Sequence, residues 1–178
     1  RLPEWFRVQL PTASAYFATR NLIDDLNLNT VCESARCPNH WECWSKGTAT
    51  FMIAGDSCTR ACGFCAVDTR KPMALEADEP DRVAEATRRM KLKHVVITAV
   101  ARDDLSDGGA AHFNRVIERV REVNPGVLIE GLTPDFQDDD SALDAVISAR
   151  PEIFNHNLET VRSLTPEVRS VATYDRSL

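Results

Sequence analysis

Six cysteines carry the most specific chemistry in this sequence, and they fall in two triplets: Cys32, Cys37 and Cys43, then Cys58, Cys62 and Cys65. The 178-residue chain has no other cysteine. The second triplet is spaced C-x3-C-x2-C, with Phe64 directly before its last member. Three thiolates on one tight loop can bind three corners of a [4Fe–4S] cubane, leaving the fourth iron open to chelation by a small molecule. Zinc favours four ligands and C-x2-C pairs, so the x3 spacing and the lack of a neighbouring fourth cysteine weigh against it. Disulfide frameworks belong to short secreted chains that cannot build a core. This chain is 43% hydrophobic and opens with no basic-then-apolar export segment, although a start at Arg1 leaves a removed leader open.

The elements that must position these thiols follow from periodicity. Residues 1–50 read as an irregular arm: RLPEWFRVQLP is extended, Tyr16, Leu22, Ile23 and Leu26 line one face of a short helix, and Cys43 lies on a second helix between Pro38 and Gly47. Trp41 and Trp44 read as packing residues. From residue 50 the pattern becomes strand, loop, helix, repeated. Strands are expected at FMIA (51–54), HVVITAV (94–100), VLIEGL (127–132) and EIFNHN (152–157). Helices are expected at 81–91 (Val83, Thr87 and Met90 inward), at 110–123 (Phe113, Val116, Ile117, Val120 and Val123) and at 140–149 (Leu143, Val146 and Ile147). A further helical pattern begins near Leu158, Val161 and Leu164. The second strand, a continuous β-branched run, reads as covered on both faces. Four β/α units imply a parallel α/β sheet with right-handed crossovers, either an open doubly wound sheet or a barrel segment. In both, chemistry belongs at the carboxyl ends of the strands, and the Cys58–Cys65 loop follows the first of them. No GxGxxG or Walker-type loop is present, so a dinucleotide site or P-loop has no support.

The C-x3-C-x-aromatic-C loop after the first strand, followed by a strand and then Asp107-Gly108-Gly109, resembles the radical S-adenosylmethionine (SAM) superfamily. The earlier C-x4-C-x5-C triplet adds a narrower likeness. VCESARCPNHWEC, GTATFMIAGDSCTRACGFCAVDTRKP, VVITAVARDDLSDGGAAHF, TPDF and FNHNLETV all resemble the lipoyl synthase family. That resemblance implies a partial (β/α) TIM-type barrel at 51–178, preceded by a cysteine-bearing arm at 1–50. It implies a sulfurtransferase that inserts two sulfur atoms at C6 and C8 of a protein-bound octanoyl chain, using SAM and two [4Fe–4S] clusters. Both carbons are unactivated, so general acid–base chemistry cannot reach them and a cofactor must supply the reactive species.

The resemblance assigns Cys58, Cys62 and Cys65 to the cluster whose open iron chelates SAM, and Cys32, Cys37 and Cys43 to an auxiliary cluster consumed as sulfur donor. It has Phe64 shielding the first cluster, with core packing as the plainer alternative. Gly108 and Gly109 would receive the methionyl end of SAM, since glycine permits close backbone approach; a simple turn before a helix is the alternative. Asn155 and Asn157 would face ribose or substrate, or cap the next helix. Arg102 and Asp103 would bind SAM or pair with each other. His40, His112 and His156 are candidate cluster ligands, with exposed or hydrogen-bonded roles the plainer expectation.

Partners follow from the same likeness: octanoylated lipoyl carrier domains (2-oxoacid dehydrogenase E2 subunits, the glycine cleavage H protein) and a reductant such as ferredoxin or flavodoxin. A net charge of −6 argues against nucleic acid, and no apolar run reaches the roughly 18 residues that span a membrane. Residues 32–71 hold five basic against four acidic side chains, less acidic than the rest, which suits an acidic carrier. The expected compartment is bacterial cytoplasm, or a mitochondrion or plastid after removal of a transit peptide. Two other readings stay open: a radical SAM enzyme of other substrate whose second cluster relays electrons, and a zinc-binding module without catalysis. With four strands visible where the family needs roughly six, the chain is expected to be partial, and a later adenine-contacting strand and a C-terminal serine ligand of the family are not seen.

Overall fold

Apolar residues alternating with polar ones over short stretches, between longer segments of helical period, produce a β/α arrangement. A computed structural model of the chain describes residues 3, 14–46, 48–169 and 171–178. The extended reading of the first eleven residues and the helix-ending role of Gly47 therefore fall outside the described residues, Pro3 excepted.

The strands are β1 (Asn29–Thr30), β2 (Thr50–Ile53), β3 (Ser57–Cys58), β4 (Asp68–Thr69), β5 (His94–Ala99), β6 (Leu128–Leu132) and β7 (Ile153–Asn155). The helices are α1 (Ser14–Asp25), α2 (Val31–Ser34), α3 (His40–Ser45), α4 (Glu79–Arg89), α5 (Ala110–Val123), α6 (Asp140–Ser148), α7 (Thr165–Val168) and α8 (Tyr174–Ser177). The main sheet runs β1-β2-β5-β6-β7, with β2, β5, β6 and β7 parallel and β1 antiparallel on the β2 edge. Strand order follows chain order without reversal, and α4 packs on α5 and α5 on α6. A doubly wound sheet would reverse its strand order and place helices on both faces. This is instead the singly wound arc of a TIM-type barrel.

The core lies between the arc and its helices. Phe51, Ile53, Val95, Ile97 and Ile129 from the strands meet Val83, Phe113, Val116, Ile117, Val120 and Val146 from α4–α6, all buried. On the N-terminal side Tyr16, Leu22 and Ile23 of α1 are buried as their spacing predicts, and Tyr16 stacks on the fully buried Trp44 of α3.

β5 is covered on both faces as expected, with Val95 and Ile97 buried on one, Thr98 and then Val100 on the other, and Val96 and Ala99 half-buried. Three expectations shift. In α6 the buried residue beside Val146 is Ala142; Ile147 is 52% exposed because its side of the helix turns from the sheet. The fourth strand is shorter than 152–157. No helix forms at Leu158–Leu164; the chain turns there, exposes Val161 and Leu164, and reaches helical geometry only at α7, where Pro166 can occupy the first turn.

Candidate functional site

Chain leaving β2 must turn sharply to begin the cysteine loop. Cys58 closes β3, which pairs in parallel with β4 through Ser57–Asp68 and Cys58–Thr69, so a two-stranded ribbon encloses residues 59–67. Within it the Cys65 amide donates to the Cys62 carbonyl (3.0 Å), a tight turn that keeps these two positions together, and the Gly63 amide donates to Val168 O (2.8 Å). Cys58, Cys62 and Cys65 all line one cleft of about 180 Å³, with Phe64, Thr98, Leu132, Thr133, Asp135, His156, Asn157 and Arg169 among its other walls. These walls come from the carboxyl ends of β2, β5, β6 and β7, where a barrel collects its chemistry. The volume is below the ~300 Å³ of enclosed small-molecule sites, so a ligand there would protrude.

No disulfide joins any of the six cysteines in this structure. Burial, then the neighbouring Cys58 and Cys65, push the Cys62 thiol up against the opposing pull of Arg169 and Arg60. No group of three or more Cys, His, Asp or Glu side chains among the described residues converges as around a single ion. A cubane makes a different demand, since its thiolates sit on separate iron corners. Three thiols arranged around one open space, without the convergence on one ion that a closed zinc site requires, fit that demand better. Cys32 stands in α2, Cys37 in the following turn and Cys43 in α3; Cys32 and Cys43 pack against the main core.

A buried ion-pair network underlies the loop. Arg60, between Cys58 and Cys62 in sequence, donates Nε to Asp103 Oδ2 (2.8 Å) and Nη2 to Asp103 Oδ1 (2.6 Å) and Asp135 Oδ1 (2.7 Å). Arg60 and Asp135 side chains are 6% and 0% exposed, so these pairs escape the solvent screening that weakens surface ones. Thr59 joins through its hydroxyl, whose single proton lies within reach of Asp103 Oδ2 (2.9 Å) and Ala101 O (3.0 Å), and whose oxygen accepts from the Asp103 amide (3.1 Å). Arg60 holds the Asp103 carboxyl below the usual carboxylate range despite its burial. At Asp135 burial opposes ionisation, and Arg60 with the Gln137 amide outweighs it. The expected Arg102–Asp103 pair does not form: Arg102 grips Asp104 with two bonds of 2.8 Å, while Asp103 turns to Arg60.

The remaining candidates separate. Phe64, 53% exposed, lines the cleft and packs in no core. Asn157 is exposed at the cleft, whereas Asn155 donates to Glu130 Oε1 (2.6 Å) and points elsewhere. Neither caps a helix, since the next one, α7, starts only at Thr165. Gly108 and Gly109 adopt φ of 60° and 88° in the turn that opens α5, with Asp107 accepting from the Gly109 and Ala111 amides (2.9 Å each); they stand outside the cleft wall. Each histidine is hydrogen-bonded: His40 Nδ1 to Cys37 O (2.8 Å), His112 to Glu79 (2.5 Å) and His156 Nδ1 to Thr133 O (2.8 Å). Because a carbonyl only accepts, Nδ1 of His156 carries the proton it donates, and Nε2, buried and without a partner among the described residues, faces the cleft. Arg60 and Asp135 escaped sequence reasoning, whereas His156 was among its candidates; an acid just beyond each of two strands, with an arginine inside the cysteine loop, was the available signal. A larger cavity of about 700 Å³ near Glu118, Arg121 and Glu152 sits at the strands' other end, and Arg121 spends its donors there on Ala149 O, Arg150 O and Glu152.

Comparison with known proteins adds sequence-wide likeness to this geometry. The family model of the radical SAM superfamily matches residues 52–178, and that of the N-terminal domain of lipoyl synthase of the radical SAM family matches residues 1–37. The lipoyl synthase of Chlorobaculum parvum is 53% identical over 177 residues, covering 99% of this chain and 61% of the relative. Those of Chlorobaculum tepidum (51% over 177 residues, 61% of the relative) and Christiangramia forsetii (49% over 176 residues, 60%) are comparably similar, each over 99% of this chain. The chain thus spans about three fifths of the length of these curated relatives.

Proposed function

This chain belongs to the radical SAM superfamily, and from that premise we propose that it carries out lipoyl-synthase chemistry, inserting sulfur at C6 and C8 of an octanoyl chain borne by a lipoyl carrier domain. The observation that carries the reading is the single cleft lined by Cys58, Cys62 and Cys65 at the carboxyl ends of the strands. The likeness to lipoyl synthases at both ends of the chain supports the substrate class.

In this reading residues 1–50 carry the auxiliary cluster on Cys32, Cys37 and Cys43, and residues 51–178 carry the SAM-chelating cluster on Cys58, Cys62 and Cys65. When bound, the second of these supplies the electron that splits SAM, and the first supplies sulfur. The protein's own part is positional. Arg60, Asp103 and Asp135 hold the cysteine loop to its neighbouring loops. Phe64 screens the cleft mouth from water, and Gly108 and Gly109, in conformations that favour glycine, let backbone approach the methionyl end of SAM. Asn157 offers a hydrogen bond to ribose or substrate at the cleft. Asn155 serves the same region indirectly, fixing Glu130 and the end of β7.

The carrier domains of 2-oxoacid dehydrogenase E2 subunits and the glycine cleavage H protein fit the less acidic 32–71 region, and a ferredoxin or flavodoxin fits as reductant. The compartment in this proposal is the bacterial cytoplasm, whose reducing conditions keep thiols available as cluster ligands. No helix among the described residues is long and apolar enough to cross a membrane.

The test is anaerobic reconstitution of the full-length protein. About eight irons per chain are expected for two cubanes. Replacing Cys58, Cys62 or Cys65 by alanine should abolish SAM cleavage. Replacing Cys32, Cys37 or Cys43 should leave cleavage measurable and remove thiolated product. Lipoyl groups formed by the latter variants would defeat the sulfur-donor assignment, and a colourless zinc protein would defeat the cluster assignment altogether.

A further inference from the structure

We infer that Glu79 is a positioning residue for the Cys58–Cys65 loop, acting by clamping the strained backbone of Ala54 from which the loop departs; this deepens the cluster reading above and rests on it. Ala54 follows β2 directly, is buried and has φ +67°, and Gly55 continues at +108°. For a residue with a Cβ this left-handed geometry carries a penalty sufficient to shift a population about tenfold. Such a conformation persists only where its surroundings over-determine it.

Both polar groups of Ala54 are held by buried charged side chains. Its amide donates to Glu79 Oε2 (2.9 Å), and its carbonyl accepts from Arg102 Nη1 (2.9 Å). Glu79 comes from the first turn of α4 and Arg102 from the loop that follows β5, so two different segments grip the two peptide groups that flank one Cα. Each jaw is itself anchored. The same Glu79 oxygen accepts from His112 Nε2 (2.5 Å) in α5, whose Nδ1 accepts from Arg115 (3.1 Å). Arg102 is fixed by Asp104 and by Met73 O (3.0 Å). The Ala54 methyl belongs to a small apolar cluster with Met52 and Val100, against which Cys58 also packs. A change at Ala54 therefore reaches the first cysteine of the triplet through this shared apolar cluster and three intervening residues.

The cysteine loop thus takes its starting direction from a carboxylate that touches neither thiol nor cleft. Glycine at position 54 would reach the same geometry without the penalty, so the clamp should matter less when Ala54 is glycine. A role confined to α4–α5 packing through His112 predicts no such dependence.

The experiment uses the full-length protein with Cys32, Cys37 and Cys43 replaced by alanine, reconstituted anaerobically so that one cluster is counted. Readouts are iron per chain, the electron paramagnetic resonance spectrum of the reduced cluster, and the apo-protein melting temperature. Glu79→Ala should retain about tenfold less cluster after challenge with a chelator and alter the spectrum. Glu79→Gln, which keeps an acceptor for the Ala54 amide, should match the parent. Adding Ala54→Gly to Glu79→Ala should restore iron and spectrum while the melting temperature stays depressed. Should Glu79→Ala fail to fold, Arg102→Ala with and without Ala54→Gly replaces it, since Arg102 holds the other peptide group of the same residue. Parental loading in Glu79→Ala, or a deficit that Ala54→Gly leaves unchanged, overturns the inference alone. A parent that takes up no iron overturns the cluster reading and this inference with it.

Discussion

Arg60 and Asp103 meet in a two-pronged ion pair, Nη2 to Oδ1 at 2.6 Å and Nε to Oδ2 at 2.8 Å, across 43 positions of chain. The same guanidinium reaches Asp135 at 2.7 Å, so one residue inside the cysteine loop joins the turns that follow β2, β5 and β6. Pairs of this kind do not by themselves argue for high stability, because desolvation offsets much of the attraction. Their cost appears when one partner is removed. Arg60→Ala, which strands a fully buried Asp135, should destabilise the protein by about 3–5 kcal/mol. Asp135→Asn keeps an acceptor in place and should cost less, about 1–3 kcal/mol. Denaturant unfolding of the two variants measures the difference.

The network also sets an acid limit. Asp103 and Asp135 titrate below the ordinary carboxylate range, so the stability they contribute is complete above the unfolded carboxylate value near 4 and is lost as pH falls through the lower folded values. The stability gap between wild type and Arg60→Ala should therefore stay constant from about pH 7 to 5 and close below about pH 4. Melts across this range read it directly; a gap that widened in acid would contradict the assignment.

Gly108 tests how closely the β5 and β6 loops are packed. A Cβ built there would lie 3.1 Å from Phe136 Cδ1 at a φ of +60°. Gly108→Ala should thus combine left-handed strain with crowding and cost about 2 kcal/mol. At Gly109 a Cβ meets only ordinary contacts, the nearest at 3.8 Å, so alanine there should cost about 1 kcal/mol from its φ alone. Thermal melting of the paired variants checks the order.

Asn155 and Asn157 resemble each other in sequence and should behave oppositely. Asn155→Ala removes a 2.6 Å bond to Glu130 and should cost about 1 kcal/mol of stability. Asn157→Ala changes an exposed side chain at the cleft, so stability should stay within about 0.5 kcal/mol. Its SAM affinity, read by equilibrium binding to the anaerobic reconstituted protein, should fall about tenfold.

The sequence by itself determined the β/α order, the faces that α1, α4 and α5 bury, and the two triplets with the chemistry their spacing allows. Those properties are local: strand and helix periods repeat within a dozen residues, and a C-x3-C-x2-C loop is one turn. Tertiary structure alone decided that the sheet is singly wound, that Arg60 chooses Asp103 and Asp135 while Arg102 chooses Asp104, and that Asn157 faces the cleft and Asn155 does not. It also decided that Ala54 is left-handed, for which the residue type gives no hint. A charge on the chain does not name its partner. Which acid an arginine meets depends on strands brought side by side from dozens of positions apart, and on burial, which makes an unmatched charge too costly to keep.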